Sequence, residues 1–217
     1  MRVSVIGTGR MGRGLIGMLA SALNNAELTW ASRSPDKTRE LLREAKLDSV
    51  VPVGMNEALQ ADVIFAALWF RDLLPWAEDL KEELRGKILV DIANPFTEDF
   101  KDFTTEWGTS AAEQLQNRIP GTKVVGAFKN TFFKVLENPV HDGQWSDVYV
   151  TSDDVAAKAA VLQLLGGIPF RVLDGGALGN NRIIERMTLF ERELAIRYGT
   201  YPYASFRLFG LNGGRGG

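Results

Sequence analysis

The run Arg2-Val3-Ser4-Val5-Ile6-Gly7-Thr8-Gly9-Arg10-Met11-Gly12 decides the fold. Five mostly apolar residues stop at a glycine, as a buried first strand does. A helical pattern then begins, with Met11, Leu15, Met18, Leu19 and Ala22 on one stripe. Between them, Gly7 to Gly12 satisfies G-x-G-x-x-G in the strand-to-helix context that gives the pattern its meaning. Gly7 permits the tight turn, Gly9 leaves room for a pyrophosphate, and Gly12 lets helix and strand pack closely. The helix start then offers free N–H groups and the positive end of its dipole to phosphate. Thr8, Arg10 and Met11 complete the expected cofactor turn.

Outward from this unit, strands are expected at Glu27–Ala31, Ser49–Val53, Ala61–Leu68, Lys87–Ile92 and Lys123–Phe128. Helices are expected from Pro35, from Leu73 to Leu84 and from Ser110 to Ile119. Pro52 weakens the third strand or lies near its end. Strands alternating with helices imply parallel βαβ units, hence an α/β, Rossmann-type doubly wound sheet. This dinucleotide-binding domain is assigned to residues 1–135 and a small C-terminal α/β lobe to 136–210. A flexible glycine-rich tail is read over 211–217. In the lobe, strands at Asp147–Thr151 and Phe170–Leu173 flank a helix from Asp153 to Leu165. A closing helix runs from about Leu178 to Tyr198, its apolar stripe formed by Ile183, Ile184, Met187, Phe190, Leu194 and Tyr198.

Which dinucleotide is bound is written at the end of the second strand. An NAD-preferring site places a carboxylate there for the ribose 2′-hydroxyl. This chain has Ala31-Ser32-Arg33-Ser34 and no acid before Asp36. Ser32 and Ser34 can donate to a 2′-phosphate, Arg33 can pair with it and stack on adenine, and Lys37 can add charge. NADP(H) is the expected cofactor; a solvated basic loop with Ser34 capping the next helix is the plainer alternative.

Composition narrows the chemistry. The 217 residues hold no cysteine and one histidine, His141, and carry a net charge of -2. Thiolate chemistry, disulfides and a multi-histidine metal site are excluded, and a serine–histidine hydrolase is disfavoured. The charge argues against a nucleic-acid surface, the terminal Gly-Gly-Arg-Gly-Gly included. No signal peptide is read at the start and no apolar run approaches the roughly 20 residues that span a bilayer. The expectation is a cytoplasmic protein with no metal, nucleic-acid or membrane partner.

The fingerprint and Ser32-Arg33 resemble the NADP-dependent oxidoreductases that act on the deazaflavin coenzyme F420, whose fold also forms the reductase domain of the STEAP metalloreductases. The resemblance continues through Asp91-Ile92-Ala93-Asn94-Pro95, Ser110-Ala111-Ala112-Glu113, Val125-Gly126-Ala127-Phe128-Lys129-Asn130-Thr131, Asp174 to Leu178, and Arg182 to Glu185. It implies hydride transfer between NADPH and a deazaflavin or flavin such as F420 or FMN, in a homodimer. Such a reaction needs alignment more than acid–base groups, which suits this composition. On the same grounds Leu68 and Trp69 are expected against the ribose and pyrophosphate. Asn94 and Pro95 would border the nicotinamide, with Asn130 and Thr131 on the acceptor side. Trp69 can equally be core.

Two places depart from the family pattern. Lys129 interrupts the usual Ala-Phe-Asn-Thr run, either anchoring an anionic acceptor, supplying a proton, or simply solvated. The aromatic, acidic stretch from Phe96 to Trp107 does not align. Glu185 and Arg182 are read as a pocket-facing or a surface pair, and His141 as a loop residue. Two other functions stay open: an NADPH-dependent reductase of a small imine, ketone or enone, and a non-catalytic NADP-binding redox sensor.

Overall fold

The computed structural model describes residues 1–23 and 26–211. Six parallel strands form the main sheet: β1 (Arg2–Ile6), β2 (Glu27–Ala31), β3 (Val51–Val53), β4 (Val63–Ala66), β5 (Ile88–Asp91) and β6 (Lys123–Gly126). Their spatial order is β3-β2-β1-β4-β5-β6. The order reverses beside β1, which pairs with β2 on one side and β4 on the other. That is the topological switch point of a doubly wound sheet, where ligands bind beyond the strand carboxyl ends. β3 is an edge strand, so Pro52 withdraws no ladder donor the sheet needs.

The period-2 alternation of each strand feeds a separate core on either face. Val3, Val5, Val63, Phe65, Val90 and Val125 point one way, into helices α1 (Arg10–Ala22) and α2 (Pro35–Ala45). Ile64, Ala66, Leu89 and Val124 point the other way. They meet α3 (Met55–Ala58), α4 (Phe70–Asp79) and α5 (Ala111–Arg118). Caps set the helix starts: Ser34 accepts from the Lys37 N–H, and Ser110 from the Glu113 N–H.

After β6 come α6 (Phe133–Glu137), the hairpin β7 (Val140–His141) and β8 (Gln144–Trp145), β9 (Asp147–Val150), α7 (Val155–Leu165), β10 (Arg171–Asp174) and α8 (Asn181–Arg197). β9 and β10 form a parallel pair, attached to β6 by reciprocal backbone bonds between Gly126 and Thr151, each 2.9 Å. Val148, Val161, Leu165 and Phe170 join the same apolar cluster as Val3 and Val5, so one core runs on past residue 135. Residues 212–217, most of the expected tail, lie outside the described residues. Among the described residues no helix is long and apolar enough to cross a membrane.

α8 departs from the sequence expectation. The period is helical, but the face turned inward is polar: Asn181, Glu185, Thr188 and Glu191 are buried with Ile184 and Ala195. Of the expected apolar stripe only Ile184 is buried: Ile183, Phe190 and Tyr198 face outward at 69%, 58% and 75% exposure, and Met187 and Leu194 are half-buried. Asn181, Glu185 and Thr188 have partners elsewhere in the chain, among them Thr151, Lys129 and the Lys129 carbonyl.

Candidate active site

Because the strands are parallel and in register, their carboxyl ends share one rim. Gly7–Gly12 follows β1, Ser32–Lys37 follows β2, Leu68 and Trp69 follow β4, Asn94 and Pro95 follow β5, and Lys129–Thr131 follow β6. The residues expected to hold the cofactor and acceptor therefore follow that edge in sequence, whereas His141 lies in β7 and Arg182 and Glu185 in α8.

At β1 the glycines are required by backbone rather than by composition. Gly7 has φ +111°, and a Cβ there would sit 2.3 Å from the Ala67 carbonyl oxygen. A Cβ on Gly12 would lie 2.0 Å from the Gly7 carbonyl oxygen. Around Gly9, by contrast, a Cβ would meet nothing within 4 Å. Two glycines close the turn and the third leaves open space at the start of α1, which is the shape a pyrophosphate needs. The turn is pinned from β2: the Gly7 N–H donates to Ala31 O at 2.9 Å, and the buried Trp30 Nε1–H donates to Gly7 O at 2.9 Å.

Beyond β2, Ser32 is half-buried and bonded to Ser34 and Thr38, whereas Arg33, Ser34 and Lys37 are exposed. Asp36 pairs with Arg39 at 2.5 Å. Arg33 makes no side-chain hydrogen bond or ion pair among the described residues, so its guanidinium is available to an anion. Arg10 lies over the Phe133 ring, 5.0 Å from its centre.

The β4 and β5 ends carry an aromatic group. Trp69, at 54% exposure, is not core; it meets Phe100 edge-on with centroids 5.9 Å apart. Phe96 contacts Phe100 and Phe103 within the segment that resisted alignment. That segment is held from α8, where Arg186 stacks 4.0 Å over Trp107 and donates to Thr105 O. Arg192 lies over Phe100 and Tyr201. Beside it Asn94 donates to Lys129 O at 2.7 Å, while its Oδ1 is buried with no partner among the described residues. Pro95 is buried. Leu68 is half-buried.

Lys129 stands neither in solvent nor at a pocket edge. Phe128 adopts φ +55°, left-handed for a bulky residue, and the chain after it sends Lys129 into the interior at 0% exposure. Its Nζ lies 2.5 Å from Asp91 Oδ2 and 3.0 Å from Glu185 Oε1, and it also donates to Ala93 O. Burial alone pulls the Lys129 pKa down, but the two carboxylates outweigh it and the net shift is upward. Glu185 is raised, by burial first and by the Asp91 charge, against Lys129 and the Ala111 N–H. Glu185 also accepts from the N–H groups of Ala111 and Ala112 at the start of α5, at 2.9 and 3.3 Å. Arg182 pairs with Glu113 instead, so the expected Arg182–Glu185 pair does not form. Asn130 donates to Asp147 O at 2.8 Å, and both it and Thr131 are buried. His141 is half-buried, stacked on Tyr203, and burial lowers its pKa.

Two further buried acid sites escaped the sequence reading. Asp147 binds Arg171 through both oxygens at 2.6 and 2.7 Å, and accepts from the Leu208 N–H, fastening the C-terminal segment. Glu191 is 3% exposed, neither of its oxygens has a partner among the described residues, and burial pushes it up to about 9. Neither has a short-range signature, because the partners or walls are tens of residues away.

Comparison with known proteins agrees with this geometry. Residues 2–95 match the family model described as NADP oxidoreductase coenzyme F420-dependent. An F420-dependent NADP reductase from Methanocaldococcus jannaschii is 33% identical over 91% of this chain and 94% of its own length. The metalloreductase STEAP3 of Rattus norvegicus is 29% identical over 87% of this chain, which spans 36% of that protein. A solved structure from Arthrobacter sp. FB24, provisionally described as an F420-dependent NADP reductase, superposes with TM-score 0.79 and 28% identity, covering 92% of this chain and 96% of that one. The chain belongs to the coenzyme F420-dependent NADP oxidoreductase family and is an NADP-dependent oxidoreductase.

Proposed function

We propose that this enzyme passes hydride between NADPH and a planar deazaflavin or flavin, coenzyme F420 before FMN. The observation that carries the reading is the aromatic group of Trp69, Phe96 and Phe100 at the β4 and β5 ends, with Phe96 two residues on from Asn94 in the chain. A flat acceptor ring stacks on such a surface. Asn94 Oδ1, buried and without a partner among the described residues, would accept from a nicotinamide carboxamide once a bound ring uncovers it. Gly7–Gly12 and the α1 N-terminus would hold the pyrophosphate, and Ser32, Arg33, Ser34 and Lys37 the 2′-phosphate. Bound NADPH supplies the hydride; the protein aligns the two rings and excludes water between them.

A reductase of a small imine or ketone would also need a proton donor at the rim. Lys129, the group expected from the sequence as a candidate proton source, is sealed in the interior and not presented. The test is anaerobic oxidation of NADPH with F420, then FMN, as acceptor, with NADH as control. Turnover with the deazaflavin and NADPH is the expected result. NADPH binding with no turnover of either ring would remove the reading in favour of a small carbonyl or imine substrate, or of a sensor.

A cytoplasmic setting and a homodimer belong to the same reading. The exposed Ile183, Phe190 and Tyr198, with half-buried Met187 and Leu194 between them, are spaced almost evenly about Phe190, so an antiparallel second α8 would meet them with the same stripe. That self-complementarity is what a two-fold interface requires. Phe190→Asp is expected to convert a dimer to monomer in sedimentation velocity; an unchanged dimer would place the interface elsewhere.

A further inference from the structure

We propose that Lys129, Asp91 and Glu185 form an internal brace that fixes the turn Ala93-Asn94-Pro95, making all three positioning residues for the nicotinamide ring. The inference rests on the cofactor orientation proposed above.

The turn is gripped from both ends of one lysine. Its ammonium donates to the Ala93 carbonyl, while its own carbonyl accepts from Asn94 Nδ2 at 2.7 Å and from the Thr188 hydroxyl. Asp91 completes the grip: Oδ1 accepts the Ala93 N–H at 2.8 Å, and Oδ2 holds the Lys129 ammonium at 2.5 Å. Residues 93 and 94 are therefore tied to residue 129 by side chain and by main chain, across the boundary between β5 and β6. Glu185 extends the brace to the rest of the molecule, joining the same ammonium to the first N–H groups of α5.

Stability alone is a poor reason for such a cluster. Removing charges from water costs several kcal/mol each, and apolar replacements of equal volume are often as stable. What ion pairs do provide is direction, since the ammonium and each carboxylate accept only certain geometries. Here that direction is spent on the carbonyl and side chain of the turn carrying Asn94. None of the three charged groups is exposed above 1%, so none can touch the acceptor; they act through Asn94.

Lys129→Met alone leaves two buried carboxylates unpaired and is a test of folding. The informative variants are Asp91→Asn, Glu185→Gln, and a neutral triple combining both with Lys129→Met. Each is titrated with NADPH while nicotinamide emission is followed, and with adenosine 2′,5′-bisphosphate, which occupies only the half of the site near Gly7–Gly12 and Arg33. Folded variants are expected to keep the bisphosphate affinity within about twofold. Their bound-nicotinamide emission should fall toward that of free NADPH, and hydride transfer to whichever of F420 or FMN the native enzyme reduces should slow at least tenfold. Native emission and rate in folded variants would overturn the brace and leave the trio a structural cluster. A native protein that binds the bisphosphate and yet gives no change in nicotinamide emission would instead overturn the cofactor orientation, and the brace with it.

Discussion

The β1–β2 end of the rim and the β5–β6 end reach rigidity by opposite means. At the first, rigidity comes from missing atoms. Gly7 and Gly12 let backbone approach backbone, while Arg33, Ser34 and Lys37 stand in solvent. At the second, rigidity comes from polar groups buried against one another: Lys129 between Asp91 and Glu185, and Asn94 and Thr188 on the Lys129 carbonyl. A phosphate site can be built from local backbone because the ligand brings the charge. A ring-positioning site must place a few atoms exactly, and directional bonds drawn from distant segments do that.

The largest effect that separates the two ends is steric. Gly12→Ala puts a carbon where the Gly7 carbonyl oxygen already lies 2.0 Å away. Backbone must move to admit it, so NADPH and adenosine 2′,5′-bisphosphate affinity are both expected to fall at least a hundredfold in calorimetric titration. Affinity within tenfold of native would show that the turn is softer than its packing indicates.

The second effect belongs to the buried polar face. Glu191 has its folded pKa raised from 4.5 to about 9, so between those values the folded chain holds a proton that the unfolded chain has released. Stability contributed by this group is full below the unfolded value and declines as pH rises, by about 1.4 kcal/mol per pH unit, until the folded value is passed. Glu191→Gln has no proton to hold, and is expected to gain about 3 kcal/mol over native at pH 7 and little at pH 4. Denaturant unfolding across that range measures it. Parallel curves for the two proteins would mean that folding leaves the ionisation of Glu191 unchanged.

The smallest effect lies at the exposed loop. Arg33→Ala removes one charge-assisted contact worth about 1.5–3 kcal/mol, so the NADPH KM should rise roughly 10- to 100-fold. The NADH KM should stay within about twofold. Equal losses for both cofactors would move Arg33 from the 2′-phosphate to the adenine.

The same contrast explains what could be read from the sequence. The six-stranded sheet, its alternating helices and the glycine turn Gly7–Gly12 are contiguous patterns, and each strand expected from residue 2 to residue 126 is present with ends shifted by a few positions. The loop read around His141 is the turn of a hairpin: Asp142 and Gly143 have positive φ, 49° and 75°, and join β7 to β8. α8 shows the limit. Its period identifies a helix, but the choice of inward face depends on Asp91, Ala111, Lys129 and Thr151, far away in the chain. Hydrophobicity alone picks the wrong side. Lys129 fails for the same reason, since nothing near it in sequence announces the two carboxylates that bury it.

Hydride transfer is tested most directly by anaerobic mixing of the enzyme with NADPH carrying deuterium at the transferred position of C4, with F420 as acceptor. Bleaching of the deazaflavin, slowed by a primary isotope effect and far faster than with NADH, is the predicted result. No reduction of F420 or FMN under conditions where NADPH is demonstrably bound would contradict it, leaving a nicotinamide site without the ring partner that its aromatic shelf implies.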